Sequence, residues 1–209
     1  GYNADFFRHN PSFTFFGMQN LLKSLKQEGK CSIARDTIIF IRQPISGEVA
    51  VNTIRLLNFD GSNVHDLSQG EMEAHLQIPV LIDFFRTYVP GFENCYLTSI
   101  NASIGVRESR RIVGEKMLDY HDCLDGKKPE DTIALCSYFL DIHNGAGDDT
   151  TGISIEEPFG IPYGCLVSKD IKNLMMAGRD ISVDPVTFGA TRIMNVCMAV
   201  GQAAGEAAA

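Results

Sequence analysis

No stretch of basic residues stands out in this sequence, and Asp plus Glu outnumber Lys plus Arg by 26 to 18, for a formal charge of −8. An acidic chain with a pI near 5.1 is a poor match for a phosphate backbone, so nucleic acid is not the expected partner. No apolar segment approaches the length that crosses a bilayer, and Gly1-Tyr2-Asn3 does not open a signal peptide, so no membrane partner is expected either. There is no C-x-x-C pair. The six cysteines (Cys31, Cys95, Cys123, Cys136, Cys165, Cys197) are scattered, several of them inside apolar runs. That pattern suits buried thiols in a reducing, cytoplasmic compartment rather than a disulfide framework. No glycine pattern of the form G-x-G-x-x-G occurs, and no internal repeat or low-complexity linker interrupts the chain. The chain also starts without an initiator Met, and the final GQAAGEAAA has no glycine cap, turn or basic residue to finish a helix. A piece of a longer protein is the expectation.

What is present is enough for one substantial core or two small domains. The hydrophobic fraction of 44% is ordinary for a globular protein. Residues 1–16 are aromatic-rich without a clear period. Met18, Leu21, Leu22 and Leu25 recur at helical spacing, which predicts a helix over Gly17–Glu28 stopped by Gly29. Thr37–Ile41 and Glu48–Leu57 read as two strands joined into a hairpin by the PISG loop over 44–47. Gly61–Asp66 reads as a loop. Ser68-Gln-Gly-Glu71 has the form of a capping box and predicts a long helix to about Tyr88, kinked or split at Pro79 and ended by Pro90-Gly91. Short strands are expected at Cys95–Ile100 and Arg110–Leu118, a turn at Asp125-Gly126 with short helical pieces around it, and a loop over Leu140–Thr151. Late strands at Ile161–Val167 and Leu174–Ala177 lead to a final helix. Hairpins first and a strand–helix ending give an α+β or α/β fold.

The last 37 residues carry the most chemistry. The apolar run Leu174–Ala177 stops at Gly178-Arg179-Asp180, a polar loop with Pro185 and Gly189 follows, and a segment rich in small residues then begins at about Thr191. Strand, glycine turn, loop and helix in that order form an anion-binding arrangement, because the first amides of a helix have no intrahelical acceptor and its dipole is positive there. The same residues also fit a buried helix packed on a strand, and Gly178-Arg179-Asp180 also fits a surface turn held by an ion pair.

NLMMAGRDIS (173–182), TRIMNVCMAVGQAAG (191–205) and IGVRESRRIVG (104–114) together resemble motifs of FAD-dependent oxidoreductases of the glutathione-reductase-like flavoprotein group, in particular a bacterial family that carries that plain name. Weaker matches are YVPGFENCYL (88–97), YFLDIHN (138–144) and IPYGCLVSK (161–169), so the resemblance runs over most of residues 36–209 in the family's order. It implies a substrate domain of mixed β-sheet and helices over 1–160, and the last strand and helix of a Rossmann-like FAD-binding domain over 161–209. It implies FAD as cofactor and hydride transfer between flavin and a small-molecule substrate. Gly178, Arg179 and Asp180 would lie by the pyrophosphate and ribityl chain, with Asp180 accepting a hydroxyl hydrogen bond. Gly189, Thr191, Arg192, Ile193 and Met194 would bring the last helix's free amides to the flavin, although Thr191 also fits a simple N-cap.

Two residues are candidates for catalysis. Arg107, in the charge cluster GVRESRR, would orient a substrate oxygen through its planar fork; an exposed strand laced with ion pairs is the other reading of that cluster. His143, in DIHN, would act as general acid or base, or serve structure. Gly145-Ala146-Gly147 follows no hydrophobic strand and fails the dinucleotide spacing, so it reads as an ordinary loop. His121 and Cys123 do not amount to a metal site, and no metal is expected. Because the G-x-G-x-x-G unit that cradles the ADP half of FAD is not in these residues, the chain alone is expected to bind FAD weakly or not at all. The alternatives are a non-catalytic binding module that lost the cofactor half, and a cysteine hydrolase using Cys165 or Cys136 with His143, for which no nucleophile context is present.

Overall fold

The computed structural model describes residues 14–143 and 150–209. The reading of Gly145-Ala146-Gly147 and most of the aromatic-rich start lie outside them. The chain divides into two compact units, one ending at Val106 and the other beginning at Arg107. Mixed α/β structure fills both, with small antiparallel sheets and five α-helices among the described residues.

In the first unit, β1 (Thr14–Gly17), β2 (Ile38–Arg42) and β3 (Val49–Asn52) form one antiparallel sheet with β2 in the centre. The β2–β3 hairpin is the expected one, although β3 stops at Asn52 rather than Leu57. Helix α1 (Gln19–Gln27) buries Leu22 and Leu25 and ends where glycine was expected to stop it: Lys30 N donates to Leu25 O and Gly29 N to Lys26 O, the Schellman pair of bonds. The long helix α2 (Val64–Tyr88) starts earlier than the Ser68 capping box suggests. Asn63 caps it by accepting from His65 N at 2.9 Å, whereas the Ser68 hydroxyl bonds back to Val64 O inside the helix. The helix runs on through Pro79, which sits on its exposed side. Phe40 is the hub of this core, with ring centroids 5.5 Å from Phe92, 5.6 Å from Phe85 and 6.0 Å from Phe15. Cys95–Ile100, expected as a strand, is irregular and largely exposed.

The second unit contains α3 (Tyr120–Leu124), β4 (Thr132–Cys136), β5 (Leu140–His143), β6 (Thr150–Ile153), β7 (Phe159–Pro162), a short 3-10 turn at Tyr163–Cys165, α4 (Phe188–Thr191) and α5 (Met194–Ala208). β4 pairs with β7 and β5 with β6, both antiparallel, so the segment expected as a loop over 140–151 starts and ends in a strand. Two more expected strands do not form. Residues 110–118 are irregular, with bends at Glu115 and Lys116, and joined to distant partners by single bonds: Ile112 N to Asp180 O, Glu115 N to Val167 O and Leu118 N to Ser182 O. Leu174–Ala177 makes one bridge, Val167 to Met175, after the chain turns at Asn173 with φ 58°. The expected final helix is two helices, α4 and α5, broken at Arg192-Ile193. Phe159, Ile161, Leu118, Leu140, Leu166 and Ile181 are the largest buried apolar side chains of this unit, and Val196 and Val200 join α5 to them.

Candidate cofactor site

The bend at 178–180 is built on a conformation that favours glycine, since Gly178 has φ +110°. It is tied down just after the turn, where Asp180 O accepts from Ile112 N at 2.8 Å and Ser182 N donates to Cys165 O at 2.8 Å. The Arg179 side chain is exposed and that of Asp180 half-buried. Asp184 then organises the descent into α4, accepting from Val186 N at 2.6 Å, Thr187 N at 3.0 Å and the Thr187 hydroxyl at 2.7 Å.

α5 opens without a side-chain cap. Its N-cap is Ile193, extended at φ −72° and ψ 152°, which has no polar atom to offer. The first intrahelical bond runs from Cys197 N to Ile193 O at 2.9 Å, which leaves the amides of Met194, Asn195 and Val196 without an acceptor in the helix. Met194 and Asn195 are exposed, Met194 at 83%. An open helix start with a positive dipole end is a place for negative charge.

Cys197 brings the bend and this helix mouth together. Burial raises its thiol pKa, while the Arg179 charge lowers it and the Asp180 charge raises it. The first turn of α5 therefore lies within electrostatic reach of both residues of the bend. The bend offers a carboxylate that can accept from hydroxyls and a cation, and the helix start offers amides without an intrahelical acceptor, of which those of Met194 and Asn195 belong to exposed residues and that of Val196 to a buried one. These are groups that suit FAD, with its hydroxyl-bearing ribityl chain and its anionic phosphates.

The other expected residues lie elsewhere in the second unit. Gly189 is buried against β5, where a Cβ would come 2.7 Å from Asp141 O and 2.8 Å from Asp141 N. Thr191 closes α4 instead of opening the last helix, and its buried hydroxyl donates to Thr187 O at 3.3 Å. The Arg192 guanidinium is ion-paired with Asp141 Oδ2. Arg107 is exposed in irregular backbone at the first position of the second unit. His143 ends β5 opposite Thr150; the role expected of its side chain lies outside the described part.

Arg111, from the same charge cluster, is held by neighbours on both sides. It pairs with Glu108 and stands 5.3 Å over the ring of Phe188, the first residue of α4. It lines a groove of about 580 Å³ with Met117, Lys169, Ser182 and Asp184. Asp141, Asp184 and Cys197 were missed because each acts through a partner distant in sequence or through a turn that no pattern marks.

The hydrolase alternative fails on its thiols. Burial pushes Cys165 up to about 11 and also raises Cys136, so neither is an activated nucleophile. Among the described residues there is no cluster of three or more His, Cys, Asp or Glu that could hold a metal, and no helix long and apolar enough to cross a membrane.

The family model described as FAD dependent oxidoreductase matches residues 4–209. No curated protein and no solved structure matches the chain. With nearly its full length inside that match, the chain belongs to the FAD-dependent oxidoreductase family, whose cofactor is FAD.

Proposed function

We propose that the bend at Gly178–Asp180 and the open end of α5 form the flavin-side wall of the FAD site, and that the enzyme moves a hydride between a small-molecule substrate and the flavin. FAD, when bound, supplies the ring that accepts or gives up the hydride. The Asp180 carboxylate accepts a hydrogen bond from a ribityl hydroxyl. The amides of Met194, Asn195 and Val196 donate toward negative charge at the α5 mouth, favouring an electron-rich flavin. Arg107 orients a substrate oxygen and His143 handles a proton. The ADP half is held by a glycine-rich unit that these 209 residues do not contain.

One observation carries this reading: a glycine bend at φ +110° with half-buried Asp180 beside it precedes a helix that starts uncapped at an exposed Met194. Titration of FAD against the protein, followed by flavin fluorescence, tests it. A charged hydrogen bond lost in Asp180→Ala should raise the Kd roughly tenfold or more. An unchanged Kd in that variant would remove the bend from the cofactor site.

A further inference from the structure

The joint between α4 and α5 is two residues long. Arg192 ends α4 with helical angles (φ −75°, ψ −8°) and Ile193 is extended, so the direction of the open helix end depends on what holds this joint still. A single residue of β5 holds it twice. Gly189 is seated on the Asp141 backbone so closely that a Cβ would lie 2.7 Å from its carbonyl oxygen, 2.8 Å from its nitrogen and 2.9 Å from its carbonyl carbon. Three residues on, and so on the same face of that helical turn, the Arg192 guanidinium pairs with Asp141 Oδ2. Both partners of the pair are nearly covered, Arg192 at 12% and Asp141 at 16% side-chain exposure.

We infer that Asp141 is a positioning residue that aims the α5 mouth, gripping the α4 backbone with its own backbone and the first residue of the joint with its carboxylate. This rests on the reading of that mouth as the flavin-side wall. A covered ion pair contributes little net stability, because desolvation offsets most of the Coulomb attraction. What it does provide is direction, since a guanidinium fork meets a carboxylate in few orientations. Two thiols reinforce the same joint: Cys136 Sγ reaches Ala190 O and Cys197 Sγ reaches Thr191 O, each at 3.7 Å. The mouth is thus fixed from β4, from β5 and from α5 itself.

Hydrogen exchange on the protein without FAD reads the aim directly, and FAD titration reads its consequence. In Asp141→Asn the amides of Cys197 and Met198, the first that α5 protects, should exchange at least tenfold faster. Amides of β4 and β7 should keep their wild-type rates, and FAD Kd should rise about tenfold. Asp141→Glu, which keeps the charge, should recover most of both losses. Unchanged exchange at the start of α5 in Asp141→Asn would overturn the proposal. So would an equal loss across β4, β7 and α5, which would make the pair merely structural. Should Asp180→Ala leave FAD binding unaltered while Asp141→Asn still loosens only the start of α5, the flavin reading falls and the positioning role stands.

Discussion

Thr187, fully buried, donates its hydroxyl to Asp184 Oδ2 at 2.7 Å, and the other oxygen of the same carboxylate accepts from the amides of Val186 and Thr187. One side chain thereby satisfies three donors at the entrance to α4, and α4 leads directly to the mouth of α5. Asp184→Ala would leave the Thr187 hydroxyl with the Cys123 thiol, at 3.6 Å, as its hydrogen-bond partner among the described residues. It should cost about 1–3 kcal/mol in urea unfolding, the range for stranding a buried polar group. Asp184→Asn keeps an accepting oxygen and should cost about 1 kcal/mol or less. Equal losses in the two variants would show that charge, not acceptor geometry, is what this turn needs.

The buried thiols set an alkaline limit on stability. Burial holds the Cys123 pKa up to about 12 and that of Cys165 up to about 11, against an ordinary value of 9.0. In the unfolded chain both titrate near the ordinary value. Between about 9 and 11–12 the folded state therefore binds more protons than the unfolded state, and stability must fall as pH rises, by up to about 1.4 kcal/mol per pH unit for each thiol. Below the ordinary value their contribution is complete and flat. Urea midpoints measured from pH 8 to 10.5 should decline in the wild type and decline less in Cys123→Ala/Cys165→Ala; parallel curves would mean that these thiols are not the cause.

α2 offers a direct comparison of two capping assignments. Asn63 accepts from His65 N, while Ser68 sits one turn inside with its hydroxyl on Val64 O. Asn63→Ala should destabilise the protein by about 1 kcal/mol, as lost N-caps do. Ser68→Ala should be neutral or slightly stabilising, since alanine is the better residue within a helix. Thermal unfolding of both variants decides it, and a larger loss in Ser68→Ala would restore the capping box suggested by the sequence.

That contrast shows what kind of information the sequence held. Leu22 and Leu25 are buried on α1 as their helical spacing requires, and Ile38 and Phe40 are buried on β2, because those elements bury one face and local period reports it. Residues 110–118 and 174–177 failed as strands for the opposite reason. The hydrogen-bond partners of 110–118 lie up to about 70 positions away and alternate between different segments, as when Ile112 meets Asp180 and Glu115 meets Val167, while 174–177 makes only a short return onto 166–168. No local pattern encodes such a pairing. The turn at Gly178 was legible because a glycine stands where the backbone takes φ +110°. Asp141 was not, since a nearly covered aspartate acquires meaning only when Arg192 arrives beside it.

Met194 permits a test in which stability and cofactor affinity move in opposite directions. It is the first residue of α5 and 83% exposed, beside amides with no intrahelical acceptor and no side-chain cap. A carboxylate in the first turn complements the helix dipole by about 0.3–1 kcal/mol, so Met194→Glu should raise the melting temperature of the FAD-free protein. If the same amides face the negative charge of FAD, that carboxylate also occupies and repels where the cofactor must sit, and FAD Kd should rise roughly tenfold. Met194→Gln carries the shape without the charge and should leave affinity near wild type. A helix end with no cofactor role would give the stabilisation alone. Only a mouth that receives an anion gives both effects, and higher FAD affinity in Met194→Glu would exclude it.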